Sequence, residues 1–192
     1  GTVRAGLVAT YAKWKGHLTV LDAAARLAAE SPGLPVRWYV VGGPIYHTAA
    51  QFSEAELRAA AAERGIADRV GFVGFTADPA PVYRALDVVV HASTLPEPFG
   101  LTVVEAMACG RAVVVSAAGG AVELFIDGHD ALGVPPGDAA GLAAAVDRLS
   151  RDAALRARLG ANARRTAEAR FDAAGYGRRL LDIYAELVAG EP

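Results

Sequence analysis

A chain of 192 residues has room for one large domain or two small ones. Its 53% hydrophobic and 21% charged residues describe an ordinary globular protein with a sizeable core. A formal net charge of −2 excludes a general electrostatic affinity for nucleic acid or for anionic membrane surfaces.

The chain opens on "GTVRAGLVAT", without a methionine and almost directly in a strand, as expected of a piece of a longer protein. Taken in order, the predicted elements are a strand at 5–10, a helix at 17–30, a strand at 36–42 and a helix at 53–64. A strand at 69–74, a helix at about 79–85, a strand at 86–93, a helix at 102–109 and a strand at 111–116 follow. Two helix starts carry a capping-box pattern, Ser53 with Glu56 and Thr102 with Glu105. Near-continuous apolar strands separated by helices predict βαβ units, and so a parallel sheet covered on both faces. After residue 136 only helical periodicity remains, giving a helical tail over about 138–192. The expected fold is thus α/β: a single Rossmann-like, doubly wound domain over 1–192 with helices on both faces. No internal repeat or low-complexity linker interrupts it.

The remaining composition signals point the same way. Runs such as "DVVVHAS" and "RAVVVS" are too short to span a bilayer. No basic-then-apolar leader opens the chain. The single cysteine, Cys109, cannot form an internal disulfide and suits a reducing cytoplasm. Arginines between 148 and 179 alternate with acids and read as a solvated helix face. The stripe of Tyr176, Leu180, Ile183, Tyr184 and Leu187 reads as a packing face.

Open α/β sheets bind ligands at the carboxyl ends of their strands, so the loops at 11–16, 42–52, 74–78, 93–101 and 117–122 are the informative ones. "KWKG" puts Lys13 and Lys15 before a helix N-terminus, a setting that suits an anion. Taken alone, the feature reads first as two solvated lysines beside a packed Trp14. "EPFGLTVVEAM" is richer, because the amides after Gly100 and Leu101 open a helix toward the sheet edge. Glu105 has a ready structural role as the capping partner of Thr102, whereas Glu97 has nothing local to cap. His91 ends a strand at the ligand edge and, as an isolated histidine, reads as a hydrogen-bonded core residue. His17, His47 and His129 lack ligand spacing, Cys109 supplies no cluster, and no Asp-x-Asp pair is present, so no metal is expected. The absence of a G-x-G-x-x-G opening a helix after a strand speaks against a dinucleotide dehydrogenase.

The run "EPFGLTVVEAMACGRAVVVSAAGGAVELFIDG" closely resembles the signature of retaining glycosyltransferases of family 4, which have the GT-B fold. "WKG" (14–16), "RVGFVGF" (69–75), "VYRALDVVVHAS" (82–93) and the glycine pair before Glu123 extend the resemblance over nearly the whole chain. It implies the C-terminal, donor-nucleotide half of such an enzyme, with a separate N-terminal acceptor-binding domain. By that resemblance Lys15 meets the donor diphosphate. The main chain around Phe99, Gly100, Leu101 and Thr102 holds phosphate and sugar hydroxyls. Glu97 faces the transferred sugar, Glu105 accepts from the ribose hydroxyls, and the strand end at Phe75 and Thr76 borders the nucleobase. Lys15 and Glu97 are the implied catalytic groups. The implied partner is a nucleotide-sugar donor such as a UDP- or GDP-sugar, with no cofactor and no metal. Peripheral membrane association is left open for the full protein. One departure stands out: many members carry an arginine six positions before the lysine of "KG", and Ala9 occupies that place here. Two other functions stay open at this point, a sugar-nucleotide epimerase of the same fold and a nucleotide-binding or self-associating module without catalysis.

Overall fold

The computed structural model describes residues 1–46 and 48–190; His47, weighed above as a ligand, lies outside them. Its six strands are β1 (Val3–Val8), β2 (Val36–Val41), β3 (Val70–Val73), β4 (Val88–His91), β5 (Ala112–Ser116) and β6 (Leu132–Val134). They form one sheet in the order β3-β2-β1-β4-β5-β6, every neighbouring pair parallel. The helices are α1 (His17–Glu30), α2 (Glu54–Glu63), α3 (Ala80–Ala85), α4 (Leu101–Ala108), α5 (Ala139–Arg151), α6 (Ala153–Arg170) and α7 (Ala173–Ala189).

Why both faces are covered can be read from single strands. In β4, Val88 and Val90 join one buried cluster and Val89 joins the other, as a two-residue side-chain period requires. The first cluster is closed by Val20 and Leu21 of α1, Leu57 of α2, and Leu142 and Val146 of α5. The second is closed by Tyr83 of α3, Val103 and Met107 of α4, and Ala163 and Ala167 of α6. Helices α5 and α6 therefore belong to the two layers, α5 beside α1 and α6 beside α4.

Several expectations shift. The first strand begins at Val3 and ends at Val8, earlier than 5–10, and the 86–93 strand contracts to Val88–His91. Strand β6 was not expected; it is three residues long with Gly133 at its centre, too short to carry a period. Ser53 and Glu56 do form the capping box of α2. The second predicted box does not form. Helix α4 begins one residue early, at Leu101, after Gly100 with φ 107°, and no side chain caps it. Thr102 thus sits inside the first turn, where its hydroxyl cannot act as the cap.

The stripe on α7 finds no cover among the described residues. It was read as a packing face, yet no residue of that helix is buried, and Tyr176 is 71% and Leu187 65% exposed. Among the described residues no helix is long and apolar enough to cross a membrane.

Candidate functional site

The strand order reverses between β1 and β4, and at such a point two successive loops diverge and leave a crevice at the strands' carboxyl ends. The loop after β1 closes on a single 3-10 turn, Lys13–Lys15, that ends at Gly16 with φ 78°. That turn is seated on the loop after β4: the Thr94 amide and hydroxyl both donate to the Trp14 carbonyl, at 2.7 and 3.2 Å. Gly16 allows this closeness, since a β-carbon there would lie 1.9 Å from the Ala92 carbonyl oxygen.

The seating decides which lysine faces the crevice. The Lys15 ammonium pairs with Glu97 Oε1 and lies 4.1 Å from the Trp14 ring centre. Lys13 turns the other way, 5.4 Å from the ring centre of Phe52. So the turn is not a pair of equivalent solvated lysines.

Glu97 is buried, and its second oxygen, Oε2, accepts from Ser93 Oγ at 3.1 Å and from His91 Nε2. Burial pushes this carboxyl up, but hydrogen bonds from His91 and Lys15, with their electrostatic attraction, overcome it and hold it down at about 2. The surrounding main chain is fixed as well. Ser116 Oγ donates to the Ser93 carbonyl at 2.6 Å, and the Gly120 amide donates to the Glu97 carbonyl at 2.8 Å. That last bond gives the glycine pair a reason: Gly119 bridges to Glu97 as a single strand-like step.

Beside this cluster lies a cavity of about 290 Å³, lined by Ala9, Phe75, Thr76, Tyr83, Thr102 and Glu105 among others. Ala9, at the place where the resemblance implies an arginine, is among the lining residues and brings no charge. Glu105, freed from capping, accepts at Oε2 from the Tyr83 hydroxyl at 2.7 Å. Burial, and then that bond to a carboxylate, push the Tyr83 phenol far above its ordinary range. Phe75 stands exposed at the rim.

Between the two regions runs Phe99–Thr102. Leu101 and Thr102 open α4, so helix geometry leaves their amides without a carbonyl four residues back. Phe99 meets Phe171 edge to face at 6.1 Å between ring centres, which ties this loop to the junction of α6 and α7.

The structure therefore joins Lys15 to Glu97, groups Phe75, Thr76, Thr102 and Glu105 about one cavity, and leaves Lys13 outside. His91 is the buried, hydrogen-bonded residue that the sequence reading expected, but its partner was not foreseen, and Ser93 and Tyr83 were missed outright. His91 and Ser93 bind Glu97, and Tyr83 binds Glu105. The signal for His91 was its place at the carboxyl end of a strand; for Tyr83 and Ser93 no local pattern marked the contact. His17 opens α1 fully buried, and among the described residues no cluster of three or more His, Cys, Asp or Glu side chains comes together.

Comparison with known proteins follows this geometry. The family profile for glycosyl transferases group 1 matches residues 4–166. A D-inositol 3-phosphate glycosyltransferase of Stackebrandtia nassauensis is 41% identical over 88% of this chain and 38% of its own length. The crystal structure of Anabaena HepE in complex with UDP-glucose superposes with a TM-score of 0.87 at 32% identity, over 97% of this chain and 49% of that one. The C-terminal domain of a group 1 glycosyl transferase family protein from Francisella tularensis superposes at 0.77 with 28% identity, over 90% of this chain and 88% of that one. The chain thus spans less than half the length of the Stackebrandtia and Anabaena proteins.

Proposed function

The chain belongs to the group 1 glycosyl transferases, and from that premise we propose that it is the donor-binding half of an enzyme transferring a sugar from a nucleotide sugar to an acceptor hydroxyl. The observation that carries this reading is the arrangement at the strand-order reversal. A buried carboxylate and a lysine stand together on one side, and a carboxylate-edged cavity of nucleoside dimensions on the other. The nucleoside lies in the cavity, with the base against Phe75 and Thr76 and the ribose hydroxyls on Glu105. The diphosphate crosses the first turn of α4, where free amides and the helix dipole favour an anion. Lys15 meets it from the opposite side, and the sugar reaches Glu97.

The chemistry follows from charge. Transfer breaks the bond between the sugar's anomeric carbon and the diphosphate oxygen, leaving positive charge on the sugar and negative charge on the leaving group. Fixed amides and Lys15 stabilise the second charge as it grows. Glu97, held ionised by its neighbours, lies beside the first. In this reading the enzyme is a retaining one of family 4, with attack from the face that the diphosphate leaves. The acceptor site belongs to a separate N-terminal domain, so residues 1–192 bind donor without sustaining transfer. The donor is a uridine or guanosine diphosphate sugar, and the protein acts without a metal, in the cytoplasm. The Anabaena protein's complex with UDP-glucose supports the uridine choice.

Titration calorimetry of the chain with UDP, GDP and ADP tests the reading. Saturable one-to-one binding of one of them is expected, lost on Glu105→Ala. Failure of all three to bind would overturn it, and steady transfer by this chain alone would overturn the division of labour.

A further inference from the structure

We infer that His91, together with Ser93, is a positioning residue for Glu97: the two fix Oε2 against the protein, so that Oε1 is the oxygen turned to the transferred sugar. This rests on the donor-binding reading above.

The argument starts from acceptor capacity. A carboxylate has about four lone-pair sites, roughly two for each oxygen, and donates nothing when ionised. Oε2 receives Ser93 Oγ and His91 Nε2 and is full; Oε1 receives Lys15 and keeps a vacant site. Because an ionised carboxylate can only accept, Nε2 is the ring nitrogen that carries the proton toward it. Burial separates the two oxygens in the same sense. His91 and Ser93 are almost wholly enclosed, while the Lys15 side chain retains 17% exposure at the crevice.

The histidine is also expensive to keep for packing alone. Its Nδ1 is buried without a partner among the described residues, which carries an uncompensated desolvation cost. The rest of β4, Val88 to Val90, is valine, and a fourth apolar residue would avoid that cost. What a valine cannot do is reach Glu97 with a donor. The geometry that results is rigid from both sides, since Ser116 pins the Ser93 carbonyl and Gly120 pins that of Glu97.

The test compares a sugar-bearing ligand with the same ligand lacking the sugar. Probes are UDP with UDP-glucose and GDP with GDP-mannose, using whichever diphosphate binds the chain more tightly. His91→Ala should leave bare-diphosphate affinity within about twofold and reduce the conjugate's affinity relative to it by about 10- to 100-fold, the range for a hydrogen bond to a charged group. His91→Gln, whose amide nitrogen can replace Nε2, should restore most of the ratio. Ser93→Ala should lower the ratio by a smaller factor and serves if His91→Ala does not fold. An unchanged ratio in all three variants, or equal losses for both probes, would overturn the assignment. Wild-type chain that binds neither diphosphate would instead overturn the donor reading beneath it.

Discussion

Gly16→Ala would put a methyl group where the chain has room for none. The new carbon lies 1.9 Å from the Ala92 carbonyl oxygen and 2.7 Å from its carbon, both backbone atoms that no rotamer change can move aside. Holding an L-residue at φ 78° adds about 1–2 kcal/mol of its own. The relief available is for the Lys13–Lys15 turn to lift off the loop after β4, which breaks the two Thr94 bonds to the Trp14 carbonyl at about 1 kcal/mol each. The total is about 3–4 kcal/mol, or a fall in Tm of about 6–16 °C for a chain of this size. Lys15 travels with the turn, so its pairing with Glu97 is lost and diphosphate affinity should fall by about tenfold or more. Thermal unfolding by circular dichroism and calorimetry with UDP measure the two effects. Gly177→Ala in α7, where an added carbon meets nothing within 4 Å, is the control and should not lower Tm. A Gly16→Ala chain that melts within about 2 °C of the wild type and binds UDP equally well would refute the reasoning.

Three further outcomes are expected. Lys15→Ala should cost about 10- to 100-fold in diphosphate affinity, and Lys13→Ala less than about threefold, because only Lys15 faces the crevice; calorimetry yielding the reverse order would discard the assignment. Glu105→Gln should weaken UDP binding by about tenfold or more while Tm stays near that of the wild type, since the amide oxygen can still accept from Tyr83; an unchanged affinity would leave Glu105 a structural role only. Stability should also depend on acid through His17, whose burial holds it neutral down to about 4, against 6.5 for a free imidazole. The unfolded chain takes up that proton first, so the stability is full above about pH 6.5 and is lost as pH falls toward 4, by on the order of 3 kcal/mol. Urea unfolding at a series of pH values should show that slope and His17→Leu should flatten it; an equal slope in both proteins would place the effect elsewhere.

What could be read from residues alone divides along a physical line. Strands β1 to β5 and helix α1 announced themselves because their signal is periodic and local: α1 shows buried Val20, Ala24 and Leu27 at helical steps. The first capping box was legible for the same reason, Ser53 and Glu56 being three residues apart. The second failed because the entry to α4 is set from a distance, by a loop whose Glu97 carbonyl is held by Gly120. Contacts across the sheet edge leave no trace in local spacing. Tyr83 and Glu105 are 22 residues apart, and Lys15 and Glu97 are 82. The apolar stripe of α7 was legible as a stripe, but periodicity states that a helix has an apolar face and not what covers it.

The Lys15–Glu97 pair has a bearing on how an anion arrives. A lysine already matched to a carboxylate presents a neutral couple, and Ala9, among the residues lining the neighbouring cavity, adds no charge there. The crevice therefore projects little excess positive potential into solvent, and a diphosphate approaching from several ångströms away is not drawn in by long-range attraction. Its capture depends on contacts made after collision, by amides and by a lysine that must exchange one anionic partner for another. Raising ionic strength should then shorten the lifetime of the complex more than it slows its formation.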